Sequence, residues 1–437
     1  MEALGGAMHH HLMCPISLQP MQDPVTAPTG ISYDRRAIER WLAAGHATCP
    51  VTGQPLALAD LTPNHTLRRL IQSWGPSDRS TPSSTPEREQ QPIDAAAADV
   101  VGKLLSWSSR DSPPPVDVLR AAADIASERD ETRRYMVDAG VLPHALRLLV
   151  SCAKKRSCSG GSDADHGRSL VDVPAVEACL ALVRALDVAG DELRPLVADG
   201  HDLVDALTDV LVALDPGSSG SGAGYAARAS AVQLLESVME VAAAPVLARL
   251  RPELFRSVTA VARDGVSPSA TRSALRALLL ACPACRNRAL IVDAGAAHEA
   301  IELDLAAYSS SGAGGGSRRV TELTMALLAE LCACADGRAA VAAHPAGVAV
   351  VARRLLRVSA AADECAVRVL AAVGGRAASP EVLREMARVG AVGKLCCVLQ
   401  ADCDAAVKEA ARAVLRLHSG VWTGSPCVSA YLLSRYL

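Results

Sequence analysis

One phrase returns along most of this chain: the end of a helix-like run, a glycine, then a fresh apolar run. It reads Tyr135-Met136-Val137-Asp138-Ala139-Gly140-Val141-Leu142-Pro143-His144-Ala145-Leu146, then Pro195-Leu196-Val197-Ala198-Asp199-Gly200-His201-Asp202-Leu203-Val204. It returns as Leu290-Ile291-Val292-Asp293-Ala294-Gly295-Ala296-Ala297 and as Met386-Ala387-Arg388-Val389-Gly390-Ala391-Val392-Gly393-Lys394-Leu395. A looser copy surrounds Ala343-His344-Pro345-Ala346-Gly347-Val348. Successive turn glycines lie 60, 95, 52 and 43 residues apart. These intervals fit one or two multiples of a helical repeat of about 40–47 residues, once insertions are allowed. Such repeats bury their apolar faces on each other, so the phrase predicts a mostly α solenoid with an extended concave face. The insertions read as polar or Gly/Ser-rich loops at Lys154 to Arg168, Pro216 to Gly224 and Ser309 to Ser317.

Composition agrees. Half of the 437 residues are apolar, yet aromatics are 3% and there is one Phe. Ala, Leu and Val suit close-packed helices better than strands. A net charge of −3 argues against nucleic acid or an acidic membrane as partner. No apolar run reaches the roughly 18 residues of a membrane span. The nearest, Leu417 to Ser434, is interrupted by Gly420, Gly424 and Pro426. The 14 cysteines lack disulfide-framework spacing, and Met1 to His11 lacks the pattern of a signal peptide. A reducing intracellular setting is expected, namely cytoplasm, with nuclear or peripheral-membrane residence left open.

Ser77 to Pro92 is rich in Ser, Thr, Pro and charge and reads as a linker. We divide the chain into a module over 8–82, a linker over 83–93 and repeats over 94–437. In the module, Asp23-Pro24-Val25-Thr26-Ala27 and Ile31-Ser32-Tyr33 flank Pro28-Thr29-Gly30 and predict a short hairpin. Asp34 is placed to cap a helix carrying Ile38, Trp41 and Leu42, with Gly45 as its stop. A second helix is expected from Asn64, with Leu67, Leu70, Ile71 and Trp74 on one stripe. Leu12 to Leu18 and Cys49 to Val51 are apolar loops held out of regular structure by proline. Apolar loops beside a helix make a protein-binding patch, although spacing alone fits Ile16 and Trp41 equally well to a core.

Two Cys-Pro loops, Asp23-Pro24-Val25-Thr26, Tyr33-Asp34-Arg35 and Leu61-Thr62-Pro63-Asn64-His65-Thr66-Leu67-Arg68 together resemble the U-box, the docking module of one class of ubiquitin ligases. The whole chain is most similar to plant U-box proteins with armadillo repeats. The resemblance implies a small, zinc-free, RING-like α+β U-box followed by an armadillo-type right-handed α-solenoid. It implies RING-type (U-box) E3 ubiquitin transferase activity, with a ubiquitin-conjugating enzyme, ubiquitin and a protein substrate on the repeats as partners. The docking set carried over is Cys14, Pro15, Ile16, Leu18, Trp41 and Pro50. Of these, Ile16, Leu18, Trp41 and Pro50 are the contacts, whereas Cys14 and Pro15, with Val25, shape the first loop. Asp23, Val25, Tyr33, Asp34 and Asn64 are the structural set, with Arg35 and Arg36 as further candidates for holding the loops.

No covalent nucleophile and no cofactor are expected. Two RING-type zinc sites need eight ligands, and Leu12 to Trp74 offers only Cys14, Cys49, His46 and His65. Gly53 departs from the family, whose members often carry there a cationic or hydrogen-bonding residue that pins ubiquitin on its carrier; Gln54 is the nearest substitute. The departure bears on transfer efficiency more than on docking, and it leaves a non-catalytic armadillo scaffold with a degenerate U-box as the competing reading.

Other motifs carry less. Cys282-Pro283-Ala284-Cys285 has the spacing of a metal or redox pair but no second pair at zinc-finger distance, so buried thiols are expected. His9-His10-His11 reads as an unstructured run, and Lys154-Lys155-Arg156 as a solvated loop. No phosphate-binding glycine loop is present.

Overall fold

The computed structural model describes residues 13–17, 19, 21, 23–64, 67, 95–107, 115–153, 171–187, 190–197, 202–215, 224–309 and 316–423. They belong to two compact units, divided between Glu89 and Gln90. Leu18, the linker, the Lys154–Arg168 loop, most of the other two loops, the triple histidine and Gly200 lie outside the described residues, as do Leu70, Ile71 and Trp74.

The first unit is built on the expected hairpin. Strand β1 (Pro24–Thr26) pairs antiparallel with β2 (Ser32–Asp34), Val25 facing Tyr33. Gly30 takes the left-handed turn position at φ 81°, which a side chain resists. A third short strand, β3 (Thr62–Pro63), pairs with the free edge of β1; its proline and brevity hide it in the sequence. Helix α1 (Arg35–Ala43) starts where predicted, with the Asp34 carboxylate accepting the Arg36 amide. One face of α1 buries Ala37 and Ile38 against Cys14, Met21, Val25, Tyr33, Cys49 and Leu56.

The second unit is helical throughout its described length. A leading pair, α2 (Ala95–Ser106) and α3 (Val116–Glu128), precedes six triplets. They are α4 (Asp130–Asp138), α5 (Val141–Ala153) and α6 (Val173–Leu186); α7 (Gly190–Val197), α8 (Asp202–Ala213) and α9 (Gly224–Val241); α10 (Ala244–Leu247), α11 (Pro252–Arg263) and α12 (Pro268–Ala281); α13 (Cys285–Asp293), α14 (Ala296–Ser309) and α15 (Gly316–Leu331); α16 (Ala335–Ala343), α17 (Gly347–Arg354) and α18 (Ala360–Val373); α19 (Pro380–Arg388), α20 (Ala391–Gln400) and α21 (Ala405–Leu417). A short α22 (Ser419–Thr423) closes the described chain and buries Trp422. Third helices pack on third helices, and second helices on second helices, along the stack. One apolar core runs from Val101 to Trp422. No single described helix is long and apolar enough to cross a membrane.

The doubled interval after Gly200 holds a complete repeat, α10 to α12. Its turn is Leu250-Arg251-Pro252, with Pro252 at the first position of α11. Proline sets the helical φ there without needing glycine. Gly140, Gly295 and Gly390 stand at φ 82°, 81° and 75°, left-handed positions between a triplet's first and second helices. Gly347 differs: its φ is ordinary, but a Cβ on it would collide with the Val341 carbonyl oxygen. Of the Cys282–Cys285 pair, Cys282 is buried as expected, while Cys285 is exposed. Cys285 opens α13, and its sulfur accepts from the Arg288 guanidinium at 3.0 Å.

Polar side chains fix one repeat on the next. Buried Asn287 donates to the carbonyls of Leu247 at 2.6 Å and Ala281 at 3.1 Å. Asp304, wholly buried, receives Arg354 Nε at 2.9 Å and Arg353 at 3.4 Å. The Lys394 ammonium donates to the carbonyls of Ala352 and Arg353 at the end of α17, at 2.5 and 3.1 Å.

The two kinds of glycine separate by experiment. Gly390→Ala is expected to destabilise the array by about 1–2 kcal/mol, the cost of a left-handed non-glycine residue. Gly347→Ala is expected to cost more, because a backbone atom must move; denaturant melts of both variants check the order.

Candidate docking site on the N-terminal module

Each apolar loop is closed on itself and then tied to the hairpin or helix. In the first, the Cys14 amide donates to the Gln19 carbonyl at 2.8 Å. The Cys14 sulfur is fully buried and accepts the Asp34 amide at 3.2 Å, anchoring the loop to the start of α1. Cys14 therefore supports the loop from inside. Pro15 and Ser17 are exposed, and half-buried Ile16 packs on the core.

In the second loop, the Cys49 amide donates to Gln54 O at 2.7 Å and the Gly53 amide to Cys49 O at 2.8 Å. Gly53 has φ 68°. The residue that departs from the family pattern thus has a backbone reason of its own: it makes this turn. The buried Cys49 sulfur receives the Tyr33 hydroxyl at 2.9 Å and lies 3.6 Å from the Thr29 hydroxyl. Trp41 Nε1 donates to Thr48 O at 2.9 Å, joining α1 to the second loop. Trp41 and Pro50 are half-buried and Val51 is exposed. Ile16 and Trp41 rest on the same core cluster.

The structural set does what its chemistry allows. Asp34 Oδ2 accepts the Asp23 amide at 3.2 Å, while Asp23 Oδ2 receives Arg35 Nε at 2.7 Å and its carbonyl the Arg35 amide at 2.9 Å. Asn64 ties the end of β3 to both of its neighbours: its side chain donates to Thr26 Oγ1 at 3.1 Å and accepts the Leu67 amide at 2.9 Å. Val25 and Tyr33 are wholly buried. Arg36 is exposed, and only its backbone takes part in this network.

Burial pushes the Cys49 thiol up, but hydrogen bonds from Thr52, Tyr33 and Thr29 outweigh it and bring it down to about 6. Burial, and then this sulfur, push the Tyr33 phenol well above its ordinary range. Both module thiols are thus engaged by protein donors. Among the described residues, one cluster could hold a metal: His298, Glu302 and His344 in the array. There the Ala346 amide donates to His344 Nδ1 at 3.1 Å, which puts the ring proton on Nε2, facing Glu302 Oε1 at 3.0 Å. That cluster is a hydrogen-bonded clamp between repeats.

His46, read in sequence only as a possible zinc ligand, stacks on Trp41. Gly45 after an amphipathic helix was the signal for a reversal, but nothing in the sequence shows which ring the reversal covers.

Fold and site together define a U-box module followed by an armadillo-type array. The U-box family model matches residues 10–80, and the model described as plant U-box protein ARM repeat region matches 103–437. The Arabidopsis thaliana proteins named E3 ubiquitin-protein ligase PUB22 and PUB23 are each 38% identical to this chain. The first alignment covers 97% of both chains; the second covers 97% of this chain and 96% of PUB23. A third, PUB24, is 32% identical over 98% of this chain and 96% of its own. The chain belongs to the plant U-box E3 ubiquitin-ligase family that carries armadillo repeats.

The module's ties give two expected outcomes. Asn64→Ala removes both a strand tie and a cap, and is expected to cost about 1–2 kcal/mol of module stability in denaturant melts. Because Cys49 titrates lower in the folded state than unfolded, its contribution is complete above the unfolded value and disappears as pH falls through about 6. Hydrogen-exchange protection of the Gly53 amide, corrected for intrinsic rate, is therefore expected to rise from pH 6 to 9 and to rise less in Cys49→Ser.

Proposed function

We propose that the module docks a ubiquitin-loaded conjugating enzyme on Ile16, Leu18, Trp41 and Pro50, and that the array recruits a protein substrate. Ubiquitin then passes directly to a substrate lysine. The observation that carries this reading is the pair of apolar loops, pinned by hydrogen bonds to buried sulfurs, with Ile16 and Trp41 half-buried on one core. The lysine amine attacks the thioester carbonyl, and the carrier's thiolate leaves. Cys14 and Cys49 take no covalent part, since both sulfurs are buried and occupied. The ligase contributes proximity and orientation, worth up to about 7–11 kcal/mol in the best cases. The linker sets the concentration of substrate near the thioester. Cytoplasmic residence fits twelve described cysteines that are all free thiols.

Self-modification tests the reading. The protein is incubated with ubiquitin, activating enzyme, ATP and a panel of conjugating enzymes. Chain formation is expected, with Ile16→Ala lowering the rate at least about tenfold, a loss of about 1.4 kcal/mol of docking, while the melting temperature of the array stays put. Silence across the panel would leave the non-catalytic scaffold as the better account.

A further inference from the structure

Beyond its packing on the module core, the docking tryptophan has two further restraints, and only one of them is a hydrogen bond. Its indole N–H is fixed on the Thr48 carbonyl at 2.9 Å, which anchors one edge of the ring but leaves rotation about that edge. The second restraint acts on the ring's face. The exposed His46 imidazole lies on the indole with centroids 4.1 Å apart and planes 24° from parallel. The backbone makes this contact possible. Gly45, at φ 90°, reverses the chain after α1, so residues 46–48 run back along the helix's last turn. The same imidazole walls an apolar cleft of about 750 Å3 with Leu42, Ala43, Leu56 and Leu58. Leu58, at 59%, is the most exposed of the large apolar side chains described.

We propose that His46 is a positioning residue of the docking site: its imidazole, stacked on Trp41, holds the indole flat in the orientation that receives the conjugating enzyme, and forms the rim between that surface and the adjoining cleft. The proposal rests on the docking reading of the module. Stacked rings of this separation gain dispersion and exclude water from the indole face. Without the imidazole, Trp41 samples orientations in which its bonded edge stays put and its face swings away. A partner that binds only the flat orientation then finds it in a fraction of molecules, and apparent affinity falls by that fraction. A flat aromatic ring at position 46 restores the restraint; a methyl group does not.

The test uses the full-length protein, 15N-labelled on tryptophan, with the Trp41 indole resonance assigned by its loss in Trp41→Phe. A conjugating enzyme that supports self-modification is titrated into wild type, His46→Ala, His46→Phe and Ile16→Ala. His46→Ala is expected to broaden the Trp41 resonance by exchange among ring orientations, beyond the fixed displacement from the lost ring current, and to weaken binding roughly fivefold, the loss set by a one-in-five competent population. His46→Phe is expected to return both toward wild type. If Ile16→Ala abolishes binding while His46→Ala leaves it unchanged, the positioning role is wrong and docking stands. If His46→Ala weakens binding without exchange broadening of the Trp41 resonance, His46 is a direct contact and the positioning role again fails. If neither variant changes binding, the docking surface itself is misplaced, and this inference falls with it.

Discussion

Two buried sulfur atoms hold the functional end of this molecule together. Cys14 accepts the amide that opens α1, and Cys49 accepts the phenol of a wholly buried tyrosine on β2. Each sits beside a proline that keeps its loop out of regular structure. Apolar loops of this kind have little to order them, because they make few backbone pairs of their own. A sulfur that receives a hydrogen bond from a strand or a helix start gives each loop one fixed point in the core. The Trp41 indole adds a third tie, from helix to loop. With three points fixed, the loops expose side chains such as Val51 and Pro15 without collapsing onto the core.

The array obeys a similar economy. Stacked Ala, Leu and Val surfaces supply most of the burial but little register, since small apolar side chains slide over one another at low cost. Register comes from a few polar side chains aimed at the neighbouring repeat. Asn287 reads a carbonyl on the short helix before it, Asp304 collects two arginines from the following triplet, and Lys394 caps the end of α17. The His344–Glu302 pair belongs to the same set. Asn287, Asp304, Lys394 and His344 are each buried or half-buried, so a slip of one turn would leave a polar group without its partner.

Much of this was legible in the residues, and the parts that were not have physical causes. The hairpin, its Gly30 turn and the Asp34 cap arise from local chemistry, which a sequence displays directly. The glycine turns of the array were visible for the same reason, at Gly140, Gly295 and Gly390. The repeat over Ala244 to Ala281 showed only as a doubled interval, because proline replaces the marker glycine. Gly53 looked like a missing side chain and is also a turn, a distinction that needs the backbone angle. β3 was hidden because two residues carry no alternation. The partners of the sulfurs and the stacking of His46 are contacts across 5–20 residues, which no local pattern encodes.

The claim on which the account turns is that hydrogen bonds to sulfur, with no bound metal, hold the loops of the proposed docking site in place. The direct measurement is the affinity of the purified protein for a conjugating enzyme before and after exhaustive chelation, with zinc content determined on the same samples. The account predicts an unchanged dissociation constant and substoichiometric zinc throughout. Stoichiometric zinc in the purified protein, lost together with binding on chelation and recovered on its return, would contradict it.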